Sequence, residues 1–364
     1  MIYICFVILG LILAYELYLR FFGNYCESYF DEKEKIVKRK GNTEGVYKTE
    51  FTCTGYFKIN NEGWNSHRDY YRSKKNGERN TNKCRIAIVG HSNIEGLRVP
   101  VNKTLSKVLE DDLNKSGINA EVYTFGYGGM HLAQAIHVSR YAVRKFQPDI
   151  LIIGTLLDDF WVSSTHKKNF LNLSMDHTNK IQEVLPGKHI YQENSALSFL
   201  YFSKLIYFFD QRTGIGEKIN GILKKLSNHK KGIEAYKIEN EYDQIKAYRY
   251  IFNEFSKIAK MGSMDEIPIF FLKFPHAIPS YNNDFEVLHL SDDQNNISIL
   301  TEIIYERQFE LIDLEVTFMD DYTANSQKFD FENDYHYNEE AHKVIGLKLS
   351  DYIQLFLRQH IHEI

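Results

Sequence analysis

The residues whose types and spacing could do chemistry lie in two loops that are far apart in the sequence. The first, over 90–96, reads Gly-His-Ser-Asn-Ile-Glu-Gly and places Ser92 just after a short apolar, β-branched run. The second, near the carboxyl terminus, carries Asp334 and His336 as an Asp-x-His pair. Serine attack on an ester needs a base such as histidine, and that base needs a carboxylate that fixes its tautomer. Ser92, His336 and Asp334 are therefore a candidate nucleophile, base and orienting acid.

Each loop also has a simpler interpretation. A serine at the start of a helix has its hydroxyl exposed beside backbone amides that can hold a developing oxyanion, but the same place is common for a helix N-cap serine. An extended Asp-x-His sequence places both side chains on one face of its loop, but a surface Asp and His can also lie together by chance. The occurrence of both loops in one chain with strand-like segments favours catalysis over a helix cap and a chance surface pair.

The elements that must position these loops alternate between strands and helices. Apolar runs predict strands over 85–89, 121–125, 150–154, 267–272 and 311–316, and helical periodicity predicts helices over 103–113, 131–146 and 299–309. Such alternation indicates an α/β fold with a five-stranded parallel sheet that helices cover on both faces. Ligands of such a sheet bind outside the carboxyl ends of its strands, which is where Ser92 is expected.

The domain organisation follows from composition. Residues 23–82 are polar and turn-rich, and we interpret them as a linker and short β lead-in to a main domain over 83–364. Within that domain, about 160–261 shows no clear strand and is interpreted as a helical insertion. The insertion holds an apolar segment over 196–209, which we assign to core packing rather than to membrane contact, and a charged amphipathic helix over 233–258.

The amino terminus over 1–22 is nearly continuously apolar, with Glu16 and Arg20 close to its end. A membrane-spanning helix needs about 20 residues, and these two charges can pair or reach the interface. No small-residue cleavage site follows, which favours an uncleaved transmembrane anchor over a signal peptide, with a buried amphipathic helix as the alternative. The basic residues over 38–40 follow the segment, so the positive-inside rule alone would leave the body in the cytoplasm.

Charge and cysteine content exclude several classes of function. The 48 acidic and 44 basic residues give a formal charge of −4, so the chain lacks the cationic field that a nucleic-acid partner would need. Cys5, Cys26, Cys53 and Cys84 have no CxxC spacing and no neighbouring histidine cluster, which argues against a zinc site. No metal or other cofactor is expected. A Cys26–Cys53 disulfide in an oxidising compartment is left open, because spacing alone does not establish it.

From about Gly55 to the end, the sequence resembles the SGNH/GDSL hydrolases, in particular a large bacterial group associated with exopolysaccharide synthesis. GHSNIEG over 90–96 matches the GDSxxxG block of that family, and TFGYGGMH over 124–131 matches its N-x-G-x-x-G block. PDILIIGTLLDDF over 148–160 matches the third block, and DYHYN over 334–338 matches the Asp-x-His-x-Asn variant of the last. The resemblance implies a three-layer α/β/α, flavodoxin-like SGNH hydrolase fold, here preceded by the membrane helix.

The resemblance also implies roles for individual residues. Ser92 would be the nucleophile of a triad completed by Asp334 and His336. Ser92, Gly129 and Asp158 would occupy the oxyanion-hole positions. The implied substrates are acetyl-like or other short acyl esters on carbohydrate, or other small esters, handled through an acyl-serine that water or a sugar hydroxyl resolves. The exopolysaccharide-type group also implies an extracytoplasmic body, in conflict with the charge rule.

Two positions depart from the family pattern. His91 replaces the Asp of GDS, and Asp158 stands where an Asn side chain normally donates to the oxyanion. Losing such a donor costs roughly 10²–10³-fold in rate, and an ionised carboxylate there would also repel the developing charge. A His91–Asp158 pair would neutralise it. Without that pair, the chain is expected to be a weak enzyme or a degenerate domain that binds glycan or scaffolds polysaccharide synthesis, although the intact triad residues favour the enzyme.

The serine loop also partly fits the α/β-hydrolase nucleophile elbow, G-x-S-x-G. Position 94 is Ile, however, where the elbow needs Gly for close packing. Ser92 moreover follows the first apparent strand of the sheet rather than a central one. We therefore rank this alternative below the SGNH interpretation.

Overall fold

The computed structural model describes most of the chain outside its amino terminus and the 186–240 region. The described residues are 10–15, 17, 26–48, 54–72, 83–154, 170–175, 178, 180–185, 241–262, 266–275, 277–278, 286–287, 294–332 and 334–360. The chain divides into two compact units, one of Met1–Tyr25 and Gly187–Ala235 and the other of Cys26–Pro186 and Tyr236–Ile364. The second unit carries the sheet and both candidate loops.

The strands of the second unit follow in chain order. They are β1 (Ser28–Asp31), β2 (Ile36–Arg39), β3 (Thr43–Lys48), β4 (Thr54–Ile59), β5 (Cys84–Gly90), β6 (Ala120–Gly126), β7 (Ile150–Gly154), β8 (Asn172–Met175), β9 (Ile181–Val184), β10 (Ile269–Lys273), β11 (Ala277–Ile278), β12 (Glu286–Val287), β13 (Glu310–Asp313), β14 (Asp330–Phe331) and β15 (Asp334–Tyr337). The first four form two antiparallel hairpins within the range predicted as a β lead-in.

The described helices of this unit alternate with the central strands. They are α1 (Ser92–Glu95), α2 (Leu105–Lys115), α3 (Leu132–Phe146), α4 (Glu241–Ala259), α5 (Gln294–Glu306), α6 (Glu315–Asn325) and α7 (Glu339–His360).

The central sheet has the order β6-β5-β7-β10-β13, and all of its neighbouring strands are parallel. The predicted α/β fold with a five-stranded parallel sheet is thus confirmed. By appearance along the chain the order is 2-1-3-4-5, as in flavodoxin-like sheets. Winding reverses between β5 and β7, and ligands of such sheets bind in the crevice at that switch point. The loop that carries Ser92 leaves β5 at this crevice.

Successive side chains of β5 point to opposite faces of the sheet, and each face packs against its own layer of helices. Ile86 and Ile88 pack in one apolar cluster with residues of α2, α6 and α7. Ala87 and Val89 pack in a second cluster with residues of α3, α4 and α5. Burying an isoleucine side chain fully contributes about 1.5–3 kcal/mol, so the two faces together fix the position of β5 and of the loop that follows it.

Two sequence-based predictions about secondary structure need correction. The strand expected over 311–316 ends at Asp313, because the Asp313 Oδ1 accepts a hydrogen bond from the Glu315 backbone N–H at 2.9 Å and α6 begins there. The expectation that 160–261 lacks strands is wrong, because β8 and β9 form an antiparallel hairpin. Each has only four residues, too few for alternation to be recognised. The apolar segment over 196–209 lies outside the described residues.

In the part of the chain that the structure describes, no helix is both long enough and apolar enough to cross a bilayer. Most of the predicted anchor over 1–22 lies outside that part, which includes only 10–15 and 17 of it. Cys26, one half of the disulfide left open by the sequence, carries a free thiol, and Cys53 lies outside the described residues.

A close approach at the end of β6 gives a stability prediction. A Cβ atom added to Gly126 would lie 2.3 Å from the Glu95 backbone N and 2.6 Å from the Glu95 Cα, and backbone cannot move aside cheaply. We expect Gly126→Ala to lower the free energy of unfolding by about 1–3 kcal/mol, measured by urea denaturation.

The matched control is Gly128→Ala, two residues along the chain. Its added Cβ would lie 3.4 Å from the Glu95 Oε2, which is an ordinary contact. We expect a loss below about 0.5 kcal/mol in that variant. Equal losses in the two variants would show that the packing of α1 on β6 is looser than the structure indicates.

Candidate active site

The turn that carries Ser92 is a single helical turn closed at both ends. His91 is its N-cap, and the His91 Nδ1 accepts a hydrogen bond from the Asn93 backbone N–H at 3.3 Å. At the other end, Gly96 has a φ of 63°, a conformation that glycine adopts without strain, and its N–H donates to the Ser92 carbonyl at 2.9 Å. Because His91 fills the N-cap position, the Ser92 hydroxyl is not the capping group. This observation removes the simpler interpretation of the serine.

Ile94 packs beneath this turn, in the gap between two strand ends. A Cβ on Gly90 would lie 2.4 Å from the Ile94 Cγ1, and one on Gly154 would lie 2.7 Å from the Ile94 Cδ1. The glycines that permit close packing are therefore at the ends of β5 and β7, not at position 94. This arrangement does not follow the nucleophile-elbow pattern, in which position 94 itself would be glycine.

The β14–β15 hairpin brings His336 to the serine. The His336 Nε2 lies 2.9 Å from the Ser92 Oγ, although the two residues are 244 positions apart in the sequence. At this distance an imidazole can accept the hydroxyl proton as the oxygen attacks a substrate carbonyl. The structure thus brings together the predicted nucleophile and the predicted base.

The residues that follow His336 hold it in place. Tyr337 is buried and its ring packs against the rings of Phe274 and Phe318, each with centroids 5.6 Å away. The Asn338 Oδ1 accepts hydrogen bonds from two backbone N–H groups at the start of α7, and its Nδ2 donates to two backbone carbonyls of the preceding segment. Asn338, which the sequence placed beside the triad, therefore serves as a helix cap and hairpin anchor.

Asp334 lies in the same strand as His336. The β15 strand spans Asp334–Tyr337, and an extended backbone is what the Asp-x-His prediction requires. The Asp334 side chain is outside the described part of the structure. Its hydrogen bond to His336 stays a prediction.

The loop predicted to supply the oxyanion-hole amide lies beside the serine turn. The Tyr127 N–H donates to the Gly90 carbonyl at 3.0 Å, and the Met130 N–H donates to the Tyr127 carbonyl at 3.1 Å, which closes a β-turn. Gly129 is the third residue of this turn and has a φ of 73°, as type II turns favour. The role of the Gly129 amide stays a prediction, and Asp158, the other expected oxyanion-hole residue, lies outside the described residues.

His91 is electrostatically unusual. Its side chain is 2% exposed. Burial, followed by repulsion from His336, lowers the pKa of His91 to about 3. At neutral pH the imidazole is therefore uncharged, which argues against the protonated partner that the sequence suggested for Asp158. An uncharged His91 also adds no positive charge beside the imidazolium that His336 would become on accepting the serine proton.

Among the described residues, no group of three or more His, Cys, Asp or Glu side chains is arranged to hold a metal ion.

Asn93 is a residue of the site to which the sequence assigned no role. Its Oδ1 accepts a hydrogen bond from the Tyr337 backbone N–H at 3.2 Å, and its side chain is buried. This contact joins the residue after the nucleophile to the residue after the base. The loop over 90–96 is polar throughout most of its length, so nothing in the sequence sets Asn93 apart from its neighbours.

This contact predicts an effect on turnover. We expect Asn93→Ala to lower kcat for a short acyl ester by roughly 10–100-fold, because His336 would no longer be held at its distance from Ser92. Asn93→Asp keeps an acceptor for the Tyr337 N–H and should retain most of kcat. Steady-state kinetics on both variants, with circular dichroism to confirm folding, measure this difference. If the two variants lost equal activity, the contact would not be what positions the base.

Several solved structures of esterases and other hydrolases are similar to this chain at low sequence identity. No family model matches the chain, and no curated protein matches it. Among solved structures, an acetyl xylan esterase, AlAXEase, is similar at 14% identity and a TM-score of 0.37, with 74% of this chain and 99% of that chain covered. The psychrotrophic esterase EstA from Pseudoalteromonas sp. is similar at 11% identity and a TM-score of 0.39, with 76% and 99% covered.

A third similar structure is LAE5, an alpha/beta hydrolase enzyme from the metagenome of Lake Arreo, at 12% identity and a TM-score of 0.38, with 73% and 93% covered. All three TM-scores lie below 0.5.

Proposed function

We propose that this chain is a serine ester hydrolase of the SGNH/GDSL type, or an acyl-transferring relative. The observation that carries the proposal is the 2.9 Å distance between the Ser92 Oγ and the His336 Nε2 at the switch point of a parallel sheet. Two loops that are distant in the sequence meet there with the residue types that nucleophilic ester chemistry needs.

The reaction follows from these groups. As the Ser92 Oγ bonds to the ester carbonyl carbon, His336 accepts the hydroxyl proton, and it then gives that proton to the departing alcohol as the acyl–oxygen bond breaks. Water, or a sugar hydroxyl in a transferase, then gives its proton to His336 as its oxygen attacks the acyl-serine, and His336 returns that proton to the Ser92 Oγ as the acyl–serine bond breaks and the carboxylic acid or new ester leaves. In this proposal Asp334 orients His336, and the backbone N–H groups of Ser92 and Gly129 stabilise the oxyanion.

The proposed substrates are short acyl esters on carbohydrate, with other small esters included. The resemblance of the sequence motifs to the exopolysaccharide-associated group supports this choice. Initial rates on p-nitrophenyl esters from acetate to palmitate, and acetate release from acetylated xylan, test it. A preference for acetate and release from the polysaccharide would support the proposal, whereas a preference for palmitate would contradict it.

Asp158 offers a further prediction about the rate. If its carboxylate faces the oxyanion, Asp158→Asn restores a donor, removes a repulsive charge and raises kcat by at least about tenfold. Because His91 is uncharged at neutral pH, we expect this gain rather than the loss of an ion pair. Steady-state kinetics on the wild type, Asp158→Asn and the His91→Asp/Asp158→Asn double variant provide the measurement. A fall in Asp158→Asn that His91→Asp restores would instead support a charged His91–Asp158 pair.

A second candidate function is a degenerate SGNH domain that binds glycan or scaffolds a polysaccharide-synthesis complex. Asp158 is the sequence feature that favours it, because the motif resemblance aligns this residue with an Asn that normally donates to the oxyanion. Absence of ester turnover in the wild type and in Asp158→Asn, together with measurable binding of acetylated xylan by calorimetry, would favour this candidate over the enzyme.

The proposed location rests on the sequence alone. An anchor over 1–22 would tether the body to a membrane, and the exopolysaccharide-type motifs favour an extracytoplasmic body over the cytoplasmic one that the positive-inside rule gives. A periplasmic reporter fused to the carboxyl terminus, active only outside the cytoplasm, decides between the two orientations.

A further inference from the structure

Glu95, at the end of the serine turn, is a buried carboxylate to which the proposed reaction gives no role. Its side chain is 3% exposed. The Glu95 Oε2 accepts a hydrogen bond from the Gly128 backbone N–H at 2.9 Å, and the Oε1 accepts one from the Arg39 Nε at 2.7 Å. Burying a charged carboxylate is costly unless it is paired and hydrogen-bonded, so both contacts must form for this side chain to be tolerated.

The partner of Glu95 comes from the lead-in. Arg39 is the last residue of β2, and its Nη1 donates to the Ser28 Oγ at 2.8 Å. Its guanidinium lies over the Tyr127 ring, 4.6 Å from the centroid, and the Tyr127 hydroxyl donates to the same Ser28 Oγ at 2.7 Å. The arginine thus contacts both the carboxylate and the first residue of the glycine turn.

These contacts converge on the turn that leads to Gly129. A hydrogen bond from an amide to a carboxylate is charge-assisted and stronger than one between neutral groups. It fixes the Gly128 amide relative to α1, whose first residue is the nucleophile. A second lead-in residue, Asn65, donates through its Nδ2 to the Glu95 carbonyl at 2.8 Å, so the lead-in contacts Glu95 through its backbone as well.

We propose that Arg39 and Glu95 are positioning residues, a buried ion pair that holds the Gly128–Gly129 turn at a fixed place beside Ser92. The lead-in is then part of the active-site framework rather than a linker. This proposal rests on the proposed function for the role that it gives the Gly129 amide. The position of the turn itself can be tested without any turnover.

Hydrogen–deuterium exchange of the full chain, read on peptides over 126–132, tests the position of the turn. In Glu95→Ala we expect the Gly128 amide to exchange at least about tenfold faster than in the wild type, because it loses its acceptor. Glu95→Gln keeps an oxygen for that amide and should be closer to the wild type. The Arg39→Gln/Glu95→Gln double variant removes both buried charges together. It therefore leaves no unpaired charge in the interior that could prevent folding.

Arg140→Gln is the matched control. Arg140, on α3, forms ion pairs with Glu183 and Glu254 and is about as shielded as Arg39, at 25% against 15% exposed. It makes none of the contacts described above. We expect exchange over 126–132 to be unchanged in this variant.

Kinetics on a short acyl ester give the second readout. We expect Glu95→Ala to lower kcat roughly 10–100-fold with KM changed less than about twofold, as for loss of an interaction made in the transition state, and Glu95→Gln to restore part of kcat. Unchanged Gly128 exchange in Glu95→Ala, or an equal fall of kcat in Arg140→Gln, would overturn the proposal. A wild type with no turnover would refute the proposed function instead, while the exchange result would still decide whether the pair holds the turn.

Discussion

Ser92→Ala is expected to lower kcat for short acyl esters by roughly 10⁴–10⁶-fold, because the variant has no atom that can form the acyl intermediate. The free energy of unfolding should change by less than about 1 kcal/mol, since within the described part of the chain the hydroxyl makes one hydrogen bond, to His336, and does not cap the helix. Steady-state kinetics and urea denaturation of the same preparations measure the two quantities.

Ser256→Ala is a suitable control for the loss of a serine hydroxyl. The Ser256 Oγ donates to the Phe252 carbonyl within α4. This variant should keep wild-type kcat. Undiminished turnover in folded Ser92→Ala would remove Ser92 from the mechanism.

His336→Ala is expected to lower kcat by a similar factor, roughly 10⁴–10⁶-fold, because the serine hydroxyl would lose the base that accepts its proton. The Ser92→Ala/His336→Ala double variant should be no slower than either single variant. Nucleophile and base act as one unit, so the second substitution removes nothing that the first has left. A double-mutant cycle of kcat/KM measures the coupling.

One result of the double-mutant cycle would contradict this prediction. Losses that multiply across the two substitutions would mean that Ser92 and His336 act independently, whatever their 2.9 Å separation. His137→Ala, which removes an imidazole of α3 that hydrogen-bonds to the Glu34 carbonyl, controls for the general loss of a partly buried histidine.

The sheet could be predicted from the sequence because its strands are short apolar runs that end at glycine or turn residues. The strand predicted over 150–154 agrees with β7, and those over 85–89 and 121–125 each extend by one residue at both ends in β5 and β6. Burial on both faces makes such runs apolar throughout, which is a strong local signal. The end of β13 was missed because Asp313 redirects the chain through a side-chain contact that hydrophobicity does not report.

The site could be predicted only where it has a motif. Ser92 and His336 are residue types that imply chemistry, and the loop of Ser92 follows a predicted strand. Asn93 and Glu95 stand in the same loop as Ser92, but their partners are the backbone amides of Tyr337 and Gly128. A backbone amide has no residue identity, so only the folded structure shows which side chain it meets.

Arg39 is a further residue whose contact with the serine turn could not be predicted from the sequence. It lies 56 positions before Glu95, within the basic run over 38–40. From the sequence, that run bears only on membrane orientation. The burial of its guanidinium depends on the pairing of the lead-in hairpin with the serine turn, which no local pattern encodes.

Reaction with a fluorophosphonate probe tests the central claim most directly, because the probe phosphonylates a serine, with loss of fluoride, only when a base and an oxyanion-binding site activate it. Peptide mass spectrometry of the labelled full-length chain should find the adduct on Ser92, with labelling absent in Ser92→Ala and strongly slowed in His336→Ala. A folded wild type that stays unlabelled, or an adduct on any other serine, would contradict the assignment of Ser92 and His336 as nucleophile and base.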